Sequence, residues 1–401
     1  MLKRVLTALL FLSFLGAATA APNDGWRTAW ATAPDSAGPA LDAQTLRQVV
    51  RTTTSGARVR IRLSNLFGTR PLVIGAAHVG LSAGCARVTP GSDRALTFGG
   101  KATVTIAPGA SALSDPADMA VRALQPLAVS LYLPQKVDVS TIHGFALQTV
   151  YMKVPGDATA AADLPSAATD DSRYFLSDVE VEGPRPARTL AIVGDSIADG
   201  VGSGTDHDAR WPDALAARLQ ADPALTGIGI ANGGIAGNRV LRDGADPYIG
   251  PSATSRFARD GLDKPGVRWI LVHAGLNDLT ATNLLAAPTE HVTAEQVEAG
   301  LRALAARAHA RGVRIWAGTL MPLAGAKRFH SADIERERQA VNAWIRTSGV
   351  FDAVVDFDAA LRDPADPTRL NPAYDSGDHL HPNEEGYRVM ARQVDLRLLR
   401  S

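Results

Sequence analysis

The residues best suited to chemistry in this 401-residue chain fall in four short stretches. The first is Gly194-Asp195-Ser196-Ile197-Ala198-Asp199-Gly200, directly after the apolar run Thr189-Leu190-Ala191-Ile192-Val193. A serine just past the C-terminal end of a buried parallel strand lies where open α/β sheets hold their ligands. The flanking glycines let the backbone turn tightly. Taken alone, the stretch also reads as an ordinary Gly-Asp-Ser turn. The second stretch is Asn232-Gly233-Gly234-Ile235-Ala236-Gly237-Asn238, where glycine exposes backbone N–H groups, or forms a plain strand–helix turn. In the third, Gly275-Leu276-Asn277-Asp278, the asparagine amide can donate to a developing oxyanion, or the residue can cap a helix. The fourth is Asp378-His379-Leu380-His381-Pro382-Asn383. A serine nucleophile needs a base, and the base needs a partner that fixes its tautomer. Asp378 and His381, three apart, can meet across a turn. His379 and His381 could instead share a metal, but such sites usually need three or four protein ligands, and no further His/Cys/Asp cluster is evident.

The elements around these stretches alternate between strand and helix. Strands are expected at 189–193, 227–231, 267–273, 313–318 and 350–357. Helices are expected at 211–219, 294–310, 332–347 and 384–399. Five strands alternating with helices predict an α/β domain, a doubly wound five-stranded parallel sheet of flavodoxin-like form. In the common strand order 2-1-3-4-5, Ser196, Gly237 and Asn277 would lie on neighbouring strand ends around one crevice. Residues 46–151 read instead as short antiparallel strands. Arg58-Val59-Arg60-Ile61-Arg62-Leu63-Ser64 and Leu127-Ala128-Val129-Ser130-Leu131-Tyr132-Leu133 show two-residue alternation, and Gly/Pro turns separate such runs. They predict an all-β sandwich or jelly-roll domain. Residues 22–45 read as an extended lead-in and 155–188 as a polar stretch ending the domain. The expected organisation is a leader at 1–20, a β-sandwich domain at 21–183 and a catalytic domain at 184–401.

The four stretches together resemble the SGNH hydrolase superfamily, the GDSL-type esterases and lipases. The resemblance covers about residues 189–398. The serine block is similar to Gly194-Asp195-Ser196, the glycine block to Gly237, the Gly-x-Asn-Asp block to Gly275–Asp278 and the Asp-x-x-His block to Asp378–His381. Isoleucine follows the serine where the family has leucine. The Gly-x-Ser-x-Gly elbow of the alpha/beta-hydrolases is absent, because Ala198 stands at its last position. The resemblance implies a triad of Ser196, His381 and Asp378. It also implies an oxyanion hole made of the Ser196 N–H, the Gly237 N–H and the Asn277 side chain. The N-terminal β domain resembles those preceding SGNH domains in some secreted carbohydrate-active esterases.

Composition adds limits. Lys+Arg and Asp+Glu are 41 each, so the net charge is +0 and nothing points to a nucleic-acid partner. Lys3 and Arg4, the mostly apolar run 5–15 and Ala18-Thr19-Ala20 read as a cleavable signal peptide. The mature chain is then expected to begin at Ala21, secreted or periplasmic, with no membrane anchor. The single cysteine, Cys85, allows no internal disulfide, and core packing is expected to carry the stability. The expected activity is a serine ester hydrolase needing no metal or organic cofactor, acting on a small-molecule or polysaccharide ester. Loops at 239–255, 280–293 and 323–331 should rim the site. They hold Arg239, Arg242, Asp243, Asp246, Tyr248, Glu290, His291, Lys327, Arg328 and His330, against one apolar patch at Leu284-Leu285-Ala286-Ala287. That balance suits a short acyl group, acetyl above all, on a hydroxyl-rich, carbohydrate alcohol. The alternatives are a lipase or thioesterase with the same site, or a non-catalytic carbohydrate-binding protein.

Overall fold

The computed structural model describes residues 24–244, 249–285 and 287–400. The proposed leader, Asp246, Tyr248 and Ala286 lie outside them. Five parallel strands form the C-terminal sheet: Arg188–Gly194, Ile228–Gly234, Val267–His273, Arg314–Gly318 and Ala353–Val355. Their spatial order is 2-1-3-4-5, so the strand leading to Ser196 runs between the second and third, with Gly194 beside both Gly234 and His273. Alternate side chains leave the sheet on opposite faces. Ala191, Val193, Ile270 and Val272 pack with Val297, Leu301, Leu304, Val341 and Ile345 of the helices Ala294–His309 and Ala332–Thr347. Leu190, Ile192, Trp269 and Leu271 pack with Trp211, Leu215, Leu219, Tyr387 and Met390 of the helices Trp211–Ala221 and Glu384–Gln393. Helices thus cover both faces, which is the doubly wound arrangement.

The N-terminal part is all-β. Two larger antiparallel sheets, one containing Gly56–Ser64 and Leu176–Glu182, the other Gln44–Arg51 and Pro126–Leu133, share one apolar core. Val59, Ile61, Val179 and Val181 from the first meet Leu46, Val50, Val129 and Leu131 from the second.

Four sequence expectations need correction. The lead-in expected at 22–45 instead contains a strand: Trp26–Ala31 pairs antiparallel with Leu176–Glu182. It is buried almost throughout, so the two-residue alternation that marks a half-buried strand is missing. Residues 155–188 hold three strands, and Leu176–Glu182 lies between two others in its sheet. Its buried Glu180 and Asp178 are matched by Arg60 and Lys264, so charge there does not mark a loop. The fifth parallel strand is only Ala353–Val355, because Asp356 caps a short helix Phe357–Leu361 by accepting the Ala359 N–H. The closing helix stops at Gln393, and Leu396–Leu399 is a separate 3-10 turn.

The two halves are in close backbone contact along the second parallel strand. The Thr53 hydroxyl accepts the Ile230 N–H at 2.9 Å, the Arg27 guanidinium donates to the Gly227 carbonyl at 2.6 Å, and the Thr54 hydroxyl donates to the Thr226 carbonyl at 3.0 Å. A Cβ at Gly229 would lie 1.9 Å from the Thr28 carbonyl oxygen, so only glycine fits there. Cys85 is a free, exposed thiol. Among the described residues no helix is long and apolar enough to cross a membrane.

Candidate active site

Ser196 opens a one-turn helix, Ser196–Asp199, at the end of the first parallel strand. Asp195 caps it by accepting the Ile197 N–H at 3.1 Å. Burial raises the Asp195 carboxyl to about 6, against the pull of that N–H and of His381. As the first helical residue, Ser196 has a backbone N–H with no intrahelical partner, and among the described residues no other acceptor meets it.

The loop before the last helix delivers the histidine. Asn383 caps that helix by accepting the Gly386 N–H at 2.9 Å, a contact worth about 1 kcal/mol. Tyr387 donates its hydroxyl to the Val201 carbonyl at 2.6 Å, tying the helix to the chain just after the serine turn. Ser196 Oγ then stands 2.8 Å from His381 Nε2. His381 Nδ1 stands 2.6 Å from Asp378 Oδ2. An ionised carboxylate can only accept, so Nδ1 carries the proton and Nε2 is left to accept the serine hydroxyl. The other Asp378 oxygen accepts the N–H groups of Leu380 at 2.9 Å and His381 at 2.8 Å. Partial burial works against the Asp378 charge, but the imidazole and these N–H groups hold its carboxyl well below the usual range. His379 takes no part in this chain: its Nδ1 is 2.6 Å from a different carboxylate, Asp375. Among the described residues no group of three or more His, Cys, Asp and Glu is placed to hold a metal.

Gly237 lies in the turn after the second strand with φ +70°, a left-handed conformation that favours glycine. Among the described residues its N–H has no acceptor. Asn277 is inside the helix Leu276–Leu284, whose cap is Gly275, so the alternative that Asn277 caps the helix fails. Its Nδ2 donates to the Asn238 carbonyl at 3.0 Å, one residue from Gly237, and one further N–H remains on the amide. Asp278 accepts the N–H groups of Val240 at 2.7 Å and Leu241 at 3.0 Å. Burial raises its carboxyl to about 6 despite them. The stretches around 237 and 277 are therefore joined by side chain to backbone at three points.

Three further residues carry this arrangement and were not singled out by sequence. Arg256, fully buried, donates to the Gly194 carbonyl at 2.8 Å, the Gly233 carbonyl at 2.6 Å and the Asn238 side chain at 2.9 Å. One guanidinium thus ties the ends of the first two strands to the glycine turn. Asp199, on the serine helix, accepts the Ala236 N–H at 3.1 Å and faces His143 Nε2 at 3.0 Å. Asp199 is visible in the Gly-Asp-Ser stretch, but its partner is 56 residues away.

An oriented hydroxyl–imidazole–carboxylate chain beside unpartnered N–H donors can take a proton from the hydroxyl and stabilise negative charge on oxygen. Residues 192–389 match the model of the GDSL-like Lipase/Acylhydrolase family. No curated protein matches the chain significantly. Among solved structures, an acetylxylan esterase from Geobacillus stearothermophilus is similar at 24% identity, over 52% of this chain and 93% of that one, with a TM-score of 0.41. An alpha/beta hydrolase enzyme from the metagenome of Lake Arreo, Spain, is similar at 24% identity, over 51% of this chain and 92% of its own, with a TM-score of 0.39. Residues 192–389 are thus a domain of the GDSL-like lipase/acylhydrolase family, and the chain is a carboxylic ester hydrolase.

Proposed function

We propose that Ser196 is the nucleophile, His381 the general base and acid, and Asp378 the residue that orients the imidazole. The single observation that carries this reading is the 2.8 Å and 2.6 Å chain from Ser196 through His381 to Asp378. Ser196 Oγ attacks the acyl carbonyl carbon as its proton passes to His381 Nε2. The tetrahedral oxyanion takes hydrogen bonds from the Ser196 N–H, the Gly237 N–H and the Asn277 amide. His381 returns the proton to the leaving alcohol, and the acyl-enzyme remains. Water, deprotonated by the same imidazole, releases the acid. A fluorophosphonate probe mapped by mass spectrometry tests the assignment: the adduct is expected on Ser196, and an adduct elsewhere would overturn it.

Asn277→Ala is expected to lower kcat about 10²–10³-fold with little change in KM, because the oxyanion exists only near the transition state. Steady-state kinetics on p-nitrophenyl acetate check this, and a pure KM effect would make Asn277 a substrate-binding residue.

We further propose that the acyl group is short, acetyl above all, and that the alcohol is hydroxyl-rich, with carbohydrate the leading class. The support is the rim. Arg239 and Arg242 both reach Glu290, at 2.6 Å and 3.0 Å, and Asp243 accepts the Ser252 N–H at 2.7 Å. These ion pairs tie the 239–255 and 280–293 loops together with charge, whereas a long acyl tail needs an extended apolar surface. Leu285 is exposed, which favours the lipase reading. Across p-nitrophenyl esters from acetate to palmitate, kcat/KM is expected to peak at acetate. A maximum at eight carbons or longer would establish a lipase instead. We also propose export, secreted or periplasmic, supported by the basic start Lys3-Arg4, the apolar run 5–15 and Ala18-Thr19-Ala20, with an accessory β domain at 21–183 preceding the hydrolase domain at 184–401.

A further inference from the structure

We infer that His143, a residue of the all-β half, is a positioning residue for ester hydrolysis: it clamps the Asp199 carboxylate, which joins the serine helix to the glycine turn. This rests on the proposed roles of Ser196 and Gly237. His143 ends the strand Ser140–His143, which pairs with Ser36–Gly38 on one side and Arg173–Tyr174 on the other. Its Nε2 is 3.0 Å from Asp199 Oδ1. Its Nδ1 is 2.9 Å from the Ala33 carbonyl and 3.1 Å from Asp35 Oδ2. Asp35 is itself fixed, accepting the Gly144 N–H at 2.8 Å and the Ser36 hydroxyl at 2.6 Å. Both ring nitrogens therefore face acceptors, which only the doubly protonated imidazole satisfies. Burial opposes that charge, but the Asp199 and Asp35 carboxylates outweigh it and raise the imidazole to about 10.

The other Asp199 oxygen accepts the Ala236 N–H at 3.1 Å. Asp199 is three residues after Ser196, and Ala236 is one residue before Gly237. One carboxylate thus bridges the segments that carry two proposed oxyanion donors, the N–H groups of Ser196 and Gly237, alongside the ties from Arg256. Oxyanion donors act through preorganisation, so a shift of a few tenths of an ångström between them weakens the transition state more than the ground state. Around Asp199, Arg210 Nε donates to its backbone carbonyl at 2.7 Å, and Asn232 Nδ2 donates to the neighbouring Ala198 carbonyl at 2.8 Å. These fix the helix but do not touch the Asp199 carboxylate. A cavity of about 40 Å³ adjoins it, lined by His143, Asp199, Asn232, Arg173 and Arg210. It has room for water-sized groups. Without the imidazole, the carboxylate can turn into this polar space and release the Ala236 N–H.

The test uses the full chain with His143→Gln, which keeps one donor and removes the charge. Turnover of p-nitrophenyl acetate is measured per serine titrated with fluorophosphonate, well below the melting temperature. The expected result is a fall in kcat of about tenfold to a hundredfold, below that of deleting a donor outright, with KM within twofold. Asp35→Asn leaves the bond from His143 to Asp199 in place and removes its support, so a smaller fall in kcat is expected. If His143→Gln does not accumulate, Asp35→Asn decides by the same kcat and KM criteria. A lowered melting temperature with wild-type kcat per titrated serine makes His143 only an interdomain bolt and overturns the inference. A loss confined to KM overturns it as well. Ser196→Ala separates the two levels: if that variant still turns over, the underlying site reading has failed. If Ser196→Ala is dead and His143→Gln is normal, only the positioning role has failed.

Discussion

Ser196→Ala will abolish ester turnover and leave the fold unchanged. Among the described residues the side chain has one hydrogen bond, to His381 Nε2, and alanine is well tolerated in a helix. Nothing structural is lost beyond that contact. The chemical loss is large, because without the hydroxyl no acyl-enzyme forms and the imidazole has no proton to accept. In a serine hydrolase with these three groups, removing the nucleophile costs about 10⁶-fold in kcat, and the residue left over comes from the oxyanion donors and binding. The check is hydrolysis of p-nitrophenyl acetate beside a thermal melt. Turnover above about one hundredth of wild type would remove Ser196 from the mechanism, since that is far above the residual this arrangement permits.

His381→Ala is expected to be nearly as damaging, and His379→Ala to stay within a few-fold of wild type. The two histidines are two residues apart and have different carboxylate partners. His381 is held by Asp378 and faces Ser196, whereas His379 is held by Asp375. Asp378→Asn is expected to cost about 10⁴-fold, because an amide can donate to Nδ1 and stabilise the wrong tautomer. Combining Ser196→Ala with His381→Ala should add almost nothing to either alone, since the groups act as a unit. Kinetics of the four variants at one pH test this. Comparable losses for His379→Ala and His381→Ala would favour a shared role for the pair, and restoration of activity by added zinc would assign that role to a metal.

The parallel half was legible because its strands are buried on both faces and its chemistry sits just after them. Thr189–Val193 and Trp269–Val272 are nearly unbroken apolar runs, and the serine and asparagine stretches follow them, while the glycine stretch begins inside its own strand, Ile228–Gly234. Asp378 and His381 could be paired because a turn of three residues needs no knowledge of the rest of the fold. The partners that hold the site were hidden for the opposite reason. Arg256 acts on carbonyls of residues 194 and 233, and His143 acts on Asp199 from the other half of the chain. A buried arginine or histidine leaves no periodic trace, and carbonyl acceptors have no residue type. Trp26–Ala31 escaped because a strand buried on both faces, with Arg27 and Thr28 inside it, has neither alternation nor a pure apolar run. Leu176–Glu182 does alternate, but the Ala, Asp, Ser and Pro around it masked seven residues of signal.

The second parallel strand, Ile228–Gly234, is one of the two edge strands of its sheet. Its outward backbone groups would ordinarily be a template on which another strand can assemble. Here the Ile230 N–H is taken by the Thr53 hydroxyl and the Gly227 carbonyl by Arg27, while Gly229 lets the Thr28 backbone lie directly against it. The all-β half therefore covers this border of the parallel sheet. A hydrolase half released by proteolysis near residue 184 would carry a bare, glycine-rich border with no charged side chain on it. Ser196, His381 and Asp378 all lie beyond the cut, but His143 does not, so that fragment would lose the clamp on Asp199 as well as the cover on its border.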